Sequence, residues 1–324
     1  MKVARVHEHG GPDVLEIEEL PTPTPGTGEA LVRVGTSGVN FFDIRQRTGD
    51  FKVDALPISL GMEGAGVVEA LGPDSDEVQI GDRVAWHWHQ GSYASHAVVP
   101  VDELVPLPKS ISTRVAASIM LQGLTAHSLA CSAYAVQSGE TCLVHAAAGG
   151  LGGLLTQIAK IRGARVIGTV SQRAKVSEAR KVGVDEVIVY RDEDLAEAAR
   201  SLTGGRGVDV VYDGVGKETF FGGLEALKPR GYMILFGQAS GAVPPIDTHL
   251  LQHDGGRYLT RAAFGQDITD RSGLLTRSNE MFEWIDGGKL NVRIAETYKL
   301  DDAAKAHEAL SSRTVSGKLL LDAT

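Results

Sequence analysis

One glycine cluster in the chain has the composition of a phosphate cradle: HAAAGGLGG, residues 145 to 153, whose His145 closes the apolar run ETCLVH. In the G-x-G-x-x-G spacing its places fall on Ala147, Gly149 and Gly152, with alanine at the first. Backbone N–H groups at a helix start attract anions, because they lack intrahelical partners and the helix dipole is positive at that end. A missing side chain at Gly149 lets the backbone approach a pyrophosphate, and one at Gly152 lets the helix pack on the preceding strand. The competing reading is a bare strand-to-helix corner with no ligand. Two features favour a dinucleotide: the corner follows the first strand of a strand–helix series, and Leu154, Leu155, Ile158 and Ile161 give the next helix a sheet-facing stripe.

The end of the next strand decides which dinucleotide. An NAD site needs a carboxylate there to accept from the ribose 2′-OH, but GTV-Ser171-Gln172-Arg173-Ala174-Lys175 has none. A hydroxyl and two cations suit a 2′-phosphate instead, so the expected cofactor is NADPH. The alternative makes Arg173 and Lys175 solvated helix residues. His87 and His89, in AWHWHQG, stand at alternate strand positions and are expected on one face, as a surface or cleft-lining pair rather than a metal site. Cys131 and Cys142 match no metal spacing and read as two small buried thiols.

These residues need a scaffold, and the chain supplies two rhythms. Up to about residue 120, short β-branched runs such as ALVRVGTSGV, GAGVVEALG and SHAVVP are punctuated by glycine and proline, with PTPTPGTGEA as an extended connection. From residue 122 to 262, strand-length apolar runs (ETCLVHA, ARVIGTV, DEVIVY, VDVVYDG, YMILFG) alternate with helix-like segments, the pattern of a parallel sheet covered by helices. Gly163, Gly183 and Gly204 stand just past the helix ends. The tail returns to helix, helix and strand (SNEMFEWIDGGKL, AAKAHEALSSR, SGKLLLDA). The expected fold class is α/β: a Rossmann doubly wound parallel sheet, residues 122–262, inserted in a β-rich domain made of residues 1–121 and 263–324. A net charge of −9 disfavours a surface built to neutralise nucleic acid, and the longest apolar stretch, Cys142 to Leu155, is too short and too broken by glycine to span a bilayer. No signal peptide is read at the start, and a cytoplasmic protein is expected.

With these residues in place the chain resembles the quinone oxidoreductase and zeta-crystallin branch of the medium-chain dehydrogenases/reductases. The resemblance rests on GVNFFDIRQRTG, LGMEGAGVV, GDRVAW, LQGLTAH, HAAAGGLGG, GTVSQRAK, YDGVG and FGQASG, in that order. It implies a GroES-like catalytic domain wrapped around the Rossmann domain, with the nicotinamide in the cleft between them, and a homodimer or homotetramer. By position it carries cofactor contact onto Asn40, Thr125, Gly149, Gly150, Leu151, Ser171, Lys175, Tyr190, Phe236, Gly237, Ser240, Phe264 and Arg313. Tyr190 would lie near the adenine, while Ser171 and Lys175 would hold the 2′-phosphate.

Zinc relatives in the same superfamily carry a cysteine and a histidine where this chain has Asn40 and Met62. An amide and a thioether do not replace a thiolate and an imidazole on Zn²⁺, so no metal is expected. Metal-free reduction suits acceptors that are already electrophilic, such as quinones or conjugated enones. Asn40, Arg45 and Thr125 are the residues expected at the reacting centre. Asn40 would hydrogen-bond the substrate oxygen or the nicotinamide ribose, or else satisfy its own turn. Arg45, where family members often show tyrosine nearby, would attract an anionic acceptor or stand as a solvated cation. Glu63 reads as structural. The leading activity is NADPH-dependent quinone reduction, followed by reduction of a conjugated double bond in an enoyl or alkenal substrate. A bulk structural or RNA-binding role, found among zeta-crystallin relatives, is the remaining alternative; the acidic charge balance and the lack of a basic stripe interleaved with aromatics disfavour RNA binding.

Overall fold

The run EALVRVGTSGV forms the strand Glu29–Val39, whose interior is almost wholly buried because both its edges carry neighbours. Around it the computed structural model describes residues 1–53, 55–262, 268, 270–312 and 315–324. The chain divides into two compact units.

The first unit holds Met1–Leu124, Ile268–Gly287 and Val292–Thr324. Its larger sheet runs in the order Ile294–Lys299, Lys318–Asp322, Glu29–Val39, Glu63–Leu71, Arg83–His87 and Val105–Pro106, with His96–Pro100 also paired to Glu29–Val39. Tail strand Lys318–Asp322 is antiparallel to the central strand, Leu319 opposite Val39 and Asp322 opposite Thr36. Residues from opposite ends of the sequence are therefore direct sheet neighbours, which makes this unit discontinuous. Inward residues fill two cores: Val32, Val34, Val68, Val84, Trp86 and Val99 in one, Val6, Val39, Leu60, Tyr93, Leu319 and Leu321 in the other.

The second unit, residues 125–267 with 288–291, contains a six-stranded sheet whose strand pairs are all parallel. In chain order its strands are Thr141–Val144, Arg165–Val170, Glu186–Val189, Val208–Asp213, Leu227–Leu235 and Tyr258–Arg261. They lie side by side in the order third, second, first, fourth, fifth, sixth, the doubly wound Rossmann arrangement. The helices between them end on left-handed glycines, Gly163, Gly183 and Gly204, with φ of 86°, 95° and 63°. Among the described residues, no helix is long and apolar enough to cross a membrane.

Three elements differ from the sequence reading. Strand Leu227–Leu235 begins ahead of YMILFG and includes Pro229 and Gly231, with Arg230 left-handed at φ 60°. The sixth strand, YLTR, is a short edge strand with an exposed face and gives no apolar run to read. Ile294–Lys299 is likewise half-exposed. If the tail strand is integral to the first unit, Leu321→Ala should remove buried packing and lower the unfolding free energy by about 2–5 kcal/mol, read as an earlier denaturant midpoint by circular dichroism.

Candidate active site

In a parallel doubly wound sheet, all strands point their carboxyl ends the same way, and ligands bind there, beside the switch between first and fourth strands. The second unit gathers the expected cofactor residues along this edge. Gly149, Gly150 and Leu151 follow the first strand, Ser171 follows the second, Tyr190 the third, and Phe236, Gly237 and Ser240 the fifth. Between the first strand and the helix Gly150–Ile161, Ala146 turns left-handed at φ 53°, and Gly149 is extended with no side-chain cap on the helix. A Cβ at Gly152 would overlap the Ala146 carbonyl oxygen, so the helix approaches the strand end only because residue 152 has no side chain. An uncapped N-terminus of this kind, on a helix backed by Leu154, Leu155 and Ile158, has the donor set a pyrophosphate needs.

Side chains further along the edge are anchored locally. Arg173, 84% exposed, pairs with Asp192 at 2.7 Å, a solvent-facing pair of the weak kind. Ser171 and Lys175 are half-buried beside it. The Tyr190 hydroxyl donates to Glu218 at 3.2 Å, and Arg191 binds the same carboxylate at 2.8 and 3.1 Å. Ser240 ties its loop to the turn after the fourth strand, donating to the Val215 carbonyl at 2.8 Å and accepting the Glu218 N–H at 3.0 Å. A Cβ at Gly237 would overlap the Gly214 carbonyl oxygen, so these two loops touch backbone to backbone. Thr125 is buried near the end of helix Thr113–Ser128. Phe264 and Arg313 lie outside the described residues. The residues present fit a dinucleotide with a 2′-phosphate.

The first unit holds a separate polar cluster around Asn40, which is 3% exposed at the junction of the central strand and the helix Phe41–Thr48. Its backbone N–H donates to Asp43 at 2.8 Å, and its side-chain Nδ2 donates to Glu63 Oε1 at 2.7 Å. Its Oδ1 accepts from Lys318 Nζ at 2.7 Å and from Gln122 at 3.3 Å. Glu63 also accepts the Leu121 N–H at 2.7 Å and forms an ion pair with Lys318. Sequence reasoning does not single out Lys318 or Gln122. The one signal for Lys318 is a lysine opening the apolar run KLLL, a residue type almost never buried without a partner. Arg45, on the same helix as Asp43, is half-buried and donates to the Asp50 carbonyl at 3.4 Å.

Asp43 is fully buried, and burial, its largest influence, pushes the carboxyl up to about 7 against the Asn40 N–H, Lys318 and the Tyr93 hydroxyl, which pull it down. Tyr93 donates to Asp43 at 3.0 Å and lies 3.2 Å from His307 Nε2. Burial lowers His307 to about 3 and His87 to about 4. The expectation that His87 and His89 share a strand face is corrected. The strand ends at His87, Trp88 turns left-handed at φ 61°, and His89 instead reaches the Val98 carbonyl at 3.0 Å and Glu103 at 2.8 Å. Among the described residues, the side chains close enough to share a metal ion are His7, Glu16 and Glu18, on an outer hairpin where Glu18 is already paired with Arg5 and His7.

A Rossmann sheet carrying a glycine turn, joined in one chain to a β-rich unit closed by its own C-terminal strand, defines a two-part nucleotide-dependent oxidoreductase. Residues 26–109 match the alcohol dehydrogenase GroES-like domain, and residues 150–275 match the zinc-binding dehydrogenase family. The chain is 41% identical to quinone oxidoreductase 1 of Escherichia coli (strain K12) over 318 residues, 97% of each chain. It is 37% identical to a 2-haloacrylate reductase of a Burkholderia species, covering 98% of each. A crystal structure of Escherichia coli quinone oxidoreductase complexed with NADPH superimposes with a TM-score of 0.96 at 39% identity, covering 99% of this chain and 100% of that one. The chain belongs to the quinone oxidoreductase branch of the medium-chain dehydrogenases/reductases.

Two outcomes follow from the geometry. Replacing Ser171 with Asp and Lys175 with Ala should weaken NADPH binding roughly 10- to 100-fold, the loss of charge-assisted hydrogen bonds, while NADH binding barely changes in a fluorescence titration. The second concerns Asp43, whose folded pKa of about 7 lies above its ordinary 3.8. The stability it contributes is full below about pH 4 and is lost as pH rises to about 7. Asp43→Asn should remove that loss, so its Tm should gain on the wild type from about pH 4 to 7. The lowered His87 and His307 act in the opposite sense and are common to both proteins.

Proposed function

We propose that the protein is an NADPH-dependent quinone oxidoreductase that works without a metal ion. The observation that carries this reading is the set of cofactor residues along one edge of the Rossmann sheet, ending at a carboxylate-free Ser171–Lys175 segment. When bound, NADPH supplies the reducing equivalents. The N-terminus of helix Gly150–Ile161 would bind the pyrophosphate, Ser171 and Lys175 the 2′-phosphate, and Tyr190 would lie near the adenine. Phe236, Gly237, Ser240, Phe264 and Arg313 belong to the same proposed cofactor set, with Thr125 near the reacting end.

The acceptor needs little activation, so the protein's task is orientation and exclusion of water. Asn40 would donate to the acceptor oxygen. Burial pushes the Asp43 carboxyl up to about 7, so the carboxyl beside Asn40 is mostly protonated only below that pH. A divalent metal is disfavoured by the donor set itself: the amide oxygen of Asn40 and the carboxylate of Glu63 are both engaged by the ammonium of Lys318.

A second reading, reduction of a conjugated acid or enone, draws support from Arg45. Among the described residues no carboxylate pairs with it, and the relative named for a haloacrylate takes its name from a conjugated, carboxylate-bearing compound. A homodimer or homotetramer and a cytoplasmic location complete the proposal. The first is supported by the edge strand Tyr258–Arg261, with half-exposed Tyr258 stacked on Tyr232 at 4.5 Å.

Steady-state NADPH oxidation with a panel of acceptors tests the reading. Turnover of small quinones well above that of α,β-unsaturated acids is expected. The reverse preference, abolished by Arg45→Ala, would install the second reading in its place.

A further inference from the structure

Asn40 has a symmetrical-looking amide whose two ends do opposite things, and the surroundings fix which end points where. Its oxygen faces two donors, Lys318 Nζ at 2.7 Å and Gln122 Nε2 at 3.3 Å. Its nitrogen faces an acceptor, Glu63 Oε1, at 2.7 Å. Turning the amide over would set NH₂ against an ammonium and C=O against a carboxylate, so both contacts would become repulsive. Glu63 cannot drift to relieve this. It is 0% exposed, its other oxygen is held by the Leu121 N–H at 2.7 Å, and it sits over Gly38, where a Cβ would overlap Glu63 Oε1. Lys318 is 2% exposed and is fixed by the strand pairing that sets Leu319 opposite Val39. With one Nδ2 hydrogen given to Glu63, the other is directed at the Gly38 carbonyl oxygen, which lies 3.5 Å from Nδ2, a hydrogen bond at the long limit of the range and so a weakly held one. That hydrogen is the donor the amide has left to offer.

A buried ion pair is a poor device for stability alone, because an apolar pair of similar volume often serves as well. Here both charges converge on one amide. We propose that Lys318, acting with Glu63, is a positioning residue that locks Asn40 with its N–H, rather than its carbonyl, presented to the acceptor oxygen on which negative charge develops during reduction. The role of Asn40 in this statement rests on the quinone-reductase reading above. Preset donors of this kind gain most of their effect in the transition state, since they need no reorganisation as charge appears.

Lys318→Met alone would strand the Glu63 carboxylate without its cation, so the informative variant is the double change Lys318→Met with Glu63→Gln, which removes both charges together. Its fold is checked by circular dichroism and thermal midpoint, its NADPH affinity by fluorescence titration, and its turnover with 1,4-benzoquinone. A fall in kcat on the order of 100-fold is expected, exceeding any change in NADPH affinity. Adding Asn40→Ala to the double variant should cost almost nothing more, because the two act as one unit. Wild-type kcat in the folded double variant, or losses that simply multiply with that of Asn40→Ala, would overturn the assignment. A second readout does not need turnover: the Asn40 side-chain N–H resonances in ¹⁵N NMR should exchange slowly in the wild type and rapidly in the double variant. Unchanged exchange would refute the lock even if the wild type reduced no quinone, an outcome that would count separately against the quinone reading.

Discussion

Everything proposed for the second unit depends on one close approach, that of helix Gly150–Ile161 to the strand Thr141–Val144. The Ala146 carbonyl occupies the space where a side chain at residue 152 would begin. Without that side chain the chain turns from strand to helix over a few residues and leaves the helix N-terminus uncapped at the carboxyl edge of the sheet. Gly237 repeats the device against the Gly214 carbonyl, while the remaining candidates in this unit follow strands that the parallel register has already aligned.

The first unit solves a different problem. Where zinc relatives in the superfamily place a metal ligand, this chain places an amide, and an amide must be oriented to be useful. The orientation comes from charge. Lys318 and Glu63 supply opposite signs at the two ends of the Asn40 side chain, while burial raises the nearby Asp43 carboxyl to about 7. In the proposed reading, the result is an amide donor of fixed direction, suited to an acceptor that is already electron-poor.

Much of the scaffold was legible because local signals agreed with the fold. Strand-length apolar runs became the first five strands of the Rossmann sheet, and the glycines read as helix stops have the positive φ that such stops require. The glycine turn was legible for the same reason: strand, turn and helix are contiguous in sequence. What could not be read was non-local or locally contrary. The Lys318–Asn40 contact joins residues 278 positions apart, and nothing near KLLL indicates a carboxylate waiting for it. Trp88 adopts a left-handed backbone that an aromatic residue rarely takes, which ends the strand at His87 and separates His87 from His89.

The central claim is that NADPH binds at the glycine corner and donates its electrons to an electrophilic acceptor unaided by a metal. Its most direct test is a titration of the purified, chelator-treated protein with NADPH and with NADH, followed by addition of a quinone with the chelator still present. Saturable uptake of NADPH, tighter than that of NADH, and its prompt oxidation by the quinone are predicted. No saturable binding, or oxidation only after Zn²⁺ is restored, would contradict the account.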